Sequence, residues 1–112
     1  MNASRIEQLK KFLKNDPQDP FPLYALALEY QKFDKKEAKK YFENLLESHP
    51  EYTPAYYHAA HLWIELNEIS QAKGCFEKGI EVAERNQDSL ALRELKNAYQ
   101  NFLFEWEDET DW

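Results

Sequence analysis

His58, His61 and Glu65 are the residues of this chain whose types and spacing come nearest to chemistry. They stand three and four positions apart, so a helix would bring all three to one face. Two imidazoles and a carboxylate are a donor set for a divalent metal. The pattern is thin, because no cysteine joins it and no second helix adds a carboxylate. Polar side chains on a helix surface are the plainer reading. Cys75 is the one cysteine among 112 residues. A nucleophilic thiol needs a base within hydrogen-bond reach, and no motif near Cys75 supplies one. Next to Phe76 on a helix it reads as a small buried filler. No Gly-rich loop is present to cradle a phosphate. The residues therefore argue against an enzyme and imply no cofactor.

Composition narrows the partners. The chain is 43% hydrophobic and 31% charged, enough for a core under a soluble surface, and its length suits one domain over 1–112. The net charge is −7. Residues 1–50 carry 9 Lys/Arg against 8 Asp/Glu, whereas residues 51–112 carry 5 against 13. An acidic chain without a basic stripe suits neither nucleic acid nor an anionic membrane, both densely negative. The sequence has no 18-residue apolar run, so no transmembrane helix is expected, and residues 1–14 lack the apolar stretch of a signal peptide. A lone cysteine leaves no intramolecular disulfide. A cytoplasmic location follows as the expectation.

Punctuation by Pro and Asp predicts six helices. The first spans about 4–15, with Ser4 and Glu7 spaced as a capping box and Ile6, Leu9 and Leu13 along one stripe. The second starts at Pro20 behind an Asp19 N-cap and carries Leu23, Leu26, Ala27 and Tyr30. Asp34 and Glu37 repeat the capping-box spacing before a third helix, which Pro50 stops. The fourth begins at Pro54 with Tyr56, Ala59, Ala60 and Trp63, and the fifth covers about 69–85. A sixth, capped by Asp88, bears Leu92, Leu95, Tyr99, Phe102 and Trp106 at steps of three and four, an amphipathic stripe.

The frame Ala38, Phe42, Leu45, Leu46 and Pro50 returns 34 residues later as Ala72, Phe76, Gly79, Ile80 and Glu84, the mark of a helical repeat. Upstream, Leu23, Leu26, Ala27 and Tyr30 match Tyr56, Ala59, Ala60 and Trp63 at an offset of 33, which predicts a turn one residue shorter in the first repeat. On these residues the chain resembles the tetratricopeptide-repeat (TPR) family, with the pattern W-x2-L-G-x2-Y, A-x3-F, P. It departs in Leu or Tyr for Trp, Ala for Gly, and Glu84 for the proline. It also resembles small stand-alone TPR proteins of bacteria.

The resemblance implies an all-α, right-handed solenoid of helical hairpins. Two TPR motifs, 20–50 and 53–85, are flanked by an N-terminal helix (4–15) and a capping helix (88–107), with an acidic tail at 108–112. In the sixth helix Lys96 fills the small slot, as a helix with no successor permits. The resemblance further implies an interaction module, an adaptor or scaffold holding a protein or peptide in a concave groove. That groove is lined by the second, fourth and sixth helices. The stripes beside the core stripes then supply Tyr24, Leu28 and Gln31; Tyr57, His61 and Ile64; and Arg93, Asn97 and Gln100. Some TPR domains clamp a terminal carboxylate with Lys, Asn and Arg. Tyr24, Leu28, His58 and Arg93 are offered here instead, which argues against that mode.

A second reading is a self-associating protein, a homo-dimer or larger, built through the groove or the tail. Residues 105–112, E-W-E-D-E-T-D-W, hold five acidic residues and two tryptophans. Trp106 continues the sixth helix's apolar stripe and is expected to pack. Trp112 would dock in an apolar cleft, with Glu107, Asp108, Glu109 and Asp111 facing Lys35, Lys36, Lys39 and Lys40. The plainer alternative is a frayed end.

Overall fold

The computed structural model describes residues 3–106. Among them are six helices, α1 (Ala3–Asn15), α2 (Pro20–Gln31), α3 (Lys35–Ser48), α4 (Pro54–Glu65), α5 (Ile69–Arg85) and α6 (Ser89–Trp106). They pack as sequential hairpins. Three helix starts rest on aspartate caps that the sequence marks. Asp19 Oδ1 accepts the Phe21 N–H at 3.0 Å, Asp34 Oδ1 that of Glu37 at 3.1 Å and Asp88 Oδ1 that of Ala91 at 3.1 Å. Each satisfies an N–H that the helix itself cannot. The expected Ser4 cap is not formed, because α1 already runs from Ala3 and Ser4 lies within it.

The chain forms two compact units, Met1–Ala55 and Tyr56–Trp112. In the first, α1 and α3 both pack on α2. A helix flanked on two sides must be apolar on most faces, and Pro22, Leu23, Ala25, Leu26 and Ala27 are all buried. One cluster joins Ile6 and Leu9 to Ala25 and Leu26, and another joins Leu23, Leu45 and Ala55. Tyr30 stacks on Tyr41 with centroids 5.4 Å apart.

In the second unit, α5 lies against α4 and α6. Phe76 is fully buried, with ring centroids 6.0 Å from His61 of α4 and 5.6 and 5.4 Å from Tyr99 and Phe102 of α6. Gly79 permits the close approach. A Cβ there would fall 2.6 Å from Tyr56 Cβ and 3.2 Å from Leu95 Cδ1.

The repeat register differs from the expected one. Both hairpin turns span three residues, 32–34 and 66–68, and Pro20 and Pro54 are 34 apart, as are Lys35 and Ile69. No residue is missing from the first turn. Tyr56, Ala59, Ala60 and Trp63 therefore correspond to Pro22, Ala25, Leu26 and Glu29. Because α2 is apolar nearly all round, its pattern accommodates more than one register. At the slot of Trp63 the first repeat holds Glu29, whose Oε2 lies 3.4 Å from Arg5 Nε and 3.2 Å from Lys32 Nζ. Trp106 is a second correction. It is 39% exposed and Phe104 77%, so the core stripe of α6 ends at Phe102.

Candidate functional site

Within the second unit, α4 and α6 enclose an open cavity of about 410 Å³. Tyr57, His61 and Ile64 line it from α4, at steps of four and three that align on one helical face. From α6 come Glu94, Asn97, Ala98, Asn101, Phe102 and Glu105. The volume falls within the range of ligand-binding clefts. Phe102 belongs to core and cavity at once, since its ring also packs on Phe76.

His61 is the best-defined polar group of this wall. Its ring lies 4.5 Å from that of Tyr57, and Phe76 backs it edge-on at 88°. Among the described residues, its buried Nε2 has no hydrogen-bond partner. Burial lowers its pKa from the ordinary 6.5, against a smaller upward pull from Glu65. His58 is lowered too, by burial and then by His61, with Glu94 opposing. Both imidazoles are consequently neutral at pH 7.

The residues expected in a groove are only partly brought together. Tyr57, His61, Ile64 and Asn97 meet at the cavity. Arg93 and Gln100 are exposed on α6 and do not line it. The lining stripe, Glu94, Ala98, Asn101 and Glu105, is turned one residue from the expected one. Both stripes are polar at helical spacing, so periodicity does not separate them. Ala98, a small residue between longer neighbours, is the one sequence signal of a hollow there. In the first unit, Leu28 and Gln31 border a shallower depression with Glu29 and Lys32. Tyr24 is half-buried and meets the Tyr52 ring edge-on at 5.4 Å, so much of it serves packing.

The metal candidates do not assemble. Among the described residues, no three His, Cys, Asp or Glu side chains group so as to hold an ion. Cys75 is buried, and its Sγ donates to the Tyr56 carbonyl at 3.4 Å. Burial pushes its pKa up to about 12, so it carries no thiolate at neutral pH. No helix among the described residues is long and apolar enough to cross a membrane. The Trp112 docking idea involves residues outside the described ones.

Sequential helical hairpins with a hollow between first helices define a class of repeat proteins built to present a surface. A tetratricopeptide-repeat model matches residues 29–97, and the chain belongs to the tetratricopeptide-repeat family. It is similar to a TPR domain protein from Salinibacter ruber solved by NMR, at 39% identity over 78% of this chain and 89% of that one, TM-score 0.73. A crystal structure of the TPR domain protein from that organism gives 36% identity over 75% and 96%, TM-score 0.71. The TPR2B domain of yeast Sti1, in a complex with pHsp70, shares the fold at TM-score 0.80, with 18% identity over 89% and 81%. No curated protein matches the chain.

Proposed function

We propose that this chain is a protein-interaction module, and that the cavity between α4 and α6 is where it holds a peptide segment of its partner. The observation that carries the proposal is the cavity itself, with aromatic and aliphatic walls at Tyr57, Ile64 and Phe102 and amide and carboxylate groups beside them. Such a mixture anchors an apolar side chain while hydrogen-bonding a backbone. Arg93 and Gln100 of α6 are proposed at the margin of this cavity, and Tyr24, Leu28 and Gln31 of α2 as a separate contact surface of the first unit. The role is non-catalytic, and a free thiol at Cys75 suits a reducing, cytoplasmic setting. Affinity capture from the source cells, using wild type and Tyr57→Ala, tests the proposal. Tyr57 is 37% exposed, so the variant should melt near the wild-type temperature and lose the captured partner. Equal capture by both proteins would contradict it.

Self-association is a second reading, favoured by Leu90 and Phe104, 58% and 77% exposed on α6. Light scattering on wild type and Phe104→Ser separates the two. A dimer that the substitution dissolves supports self-association, and a monomer in both removes it.

A further inference from the structure

The α6 wall of the cavity presents its polar groups in a fixed order: Glu94, Asn97, Asn101, Glu105. At a rise of 1.5 Å per residue the two carboxylates stand about 16 Å apart along the helix, too far to serve one cation. An extended peptide rises about 3.3 Å per residue, so roughly five residues cover that span. Between the carboxylates, each asparagine offers both a carbonyl acceptor and an NH₂ donor, the pair that a peptide backbone requires. Tyr57 and Ile64 of α4, with Phe102 of α6, form the apolar part of the lining. His61 adds an imidazole ring whose pKa burial lowers, and whose buried Nε2 has no hydrogen-bond partner among the described residues.

Charge selects the occupant. Glu94 and Glu105 are exposed carboxylates at the two ends, and among the described residues no Lys or Arg lines the cavity. Residues 56–112 as a whole carry 5 Lys/Arg against 12 Asp/Glu. A terminal carboxylate or phosphate would meet like charge there. Lys and Arg can lay their stems on apolar walls while the charged head reaches a carboxylate at the rim.

Resting on the interaction-module reading above, we infer that the cavity takes an extended peptide with two basic side chains, four or five positions apart, flanking an apolar residue. One basic residue pairs with Glu94 and the other with Glu105. The apolar residue enters between Tyr57, Ile64 and Phe102, and Asn97 and Asn101 hydrogen-bond the intervening backbone.

The test is selection from a random-peptide display library on the full chain. Parallel selections use Glu94→Gln/Glu105→Gln, Tyr57→Ala, and a control, Glu81→Gln/Glu84→Gln, which removes two exposed acids of α5 away from the cavity. Wild type and control should enrich the paired-basic pattern, and the cavity double variant should not. A synthetic peptide of the enriched sequence should bind the cavity variant at least about tenfold more weakly, since charged hydrogen bonds are lost. Enrichment of neutral or acidic peptides would overturn the inference while leaving the interaction module standing. Equal loss in the α5 control would overturn it too, by showing attraction to net charge alone. No enrichment on wild type beyond that on Tyr57→Ala would overturn both readings.

Discussion

The two glycines of the chain predict opposite outcomes for the same substitution. Gly74 has open space around a would-be Cβ, whereas Gly79 would drive one into Tyr56 Cβ at 2.6 Å. Within a helix, Ala is favoured over Gly by roughly 0.5–1 kcal/mol. Gly74→Ala should therefore raise the melting temperature. Gly79→Ala should lower it despite the same propensity gain, because Tyr56 Cβ sits close to its own backbone and cannot swing away. Phe76→Ala, at the centre of the His61, Tyr99 and Phe102 rings, should cost about 3–5 kcal/mol in denaturant unfolding. The two histidines give a pH dependence. Their folded pKa values lie below the unfolded 6.5, so the unfolded chain binds protons first. Stability from this source is complete above about pH 6.5 and declines as pH falls below it. Melting curves at successive pH values should show that decline, and His58→Gln/His61→Gln should reduce it.

At the scale of elements, caps and turns carry the predictions. Asp34→Ala removes the acceptor of the Glu37 N–H and should destabilise by about 1 kcal/mol. Gln87, in the turn before α6, has φ 56°, where a side chain costs about 1 kcal/mol or more. Gln87→Gly should raise the melting temperature. Both follow from features of different legibility. Helix starts were readable because Asp19, Asp34 and Asp88 are short acceptors placed before helix formers, and Pro20 and Pro54 suit only a first turn. The end of α3 was readable from Pro50. With Glu84 in the corresponding place, α5 is free to run three residues longer, 17 against 14. Register within α2 was not readable, because a helix packed on two sides loses the contrast that periodicity needs. The stripe of α6 that lines the cavity lies one position from the expected groove stripe for a related reason. Its core stripe and both neighbouring polar stripes repeat at three and four, and only packing against α4 and α5 decides which faces the hollow.

At the scale of the molecule, α6 closes the second unit. It covers Phe76 through Tyr99 and Phe102 and packs Leu95 at Gly79. A fragment ending at residue 87 should aggregate, because the apolar face of α5 that Leu95, Tyr99 and Phe102 cover would be left to water. A soluble fragment that unfolds cooperatively would contradict this. On the other side of α6, Lys96 and Gln100 are exposed. The uneven charge distribution belongs to this scale as well. Attraction of a basic partner to the acidic second unit should weaken as salt shortens the screening length from about 10 Å at 0.1 M to about 3 Å at 1 M.

A peptide held between α4 and α6, as proposed, would be read from the backbone amide shifts of the isotope-labelled full chain. On addition of a peptide enriched by the selection described above, saturable shifts should concentrate at the lining residues, Tyr57, His61 and Ile64 on one side and Asn97, Ala98 and Asn101 on the other. They should be absent in Tyr57→Ala. Shifts centred on α3 or α5, or shifts that do not saturate, would contradict binding between α4 and α6.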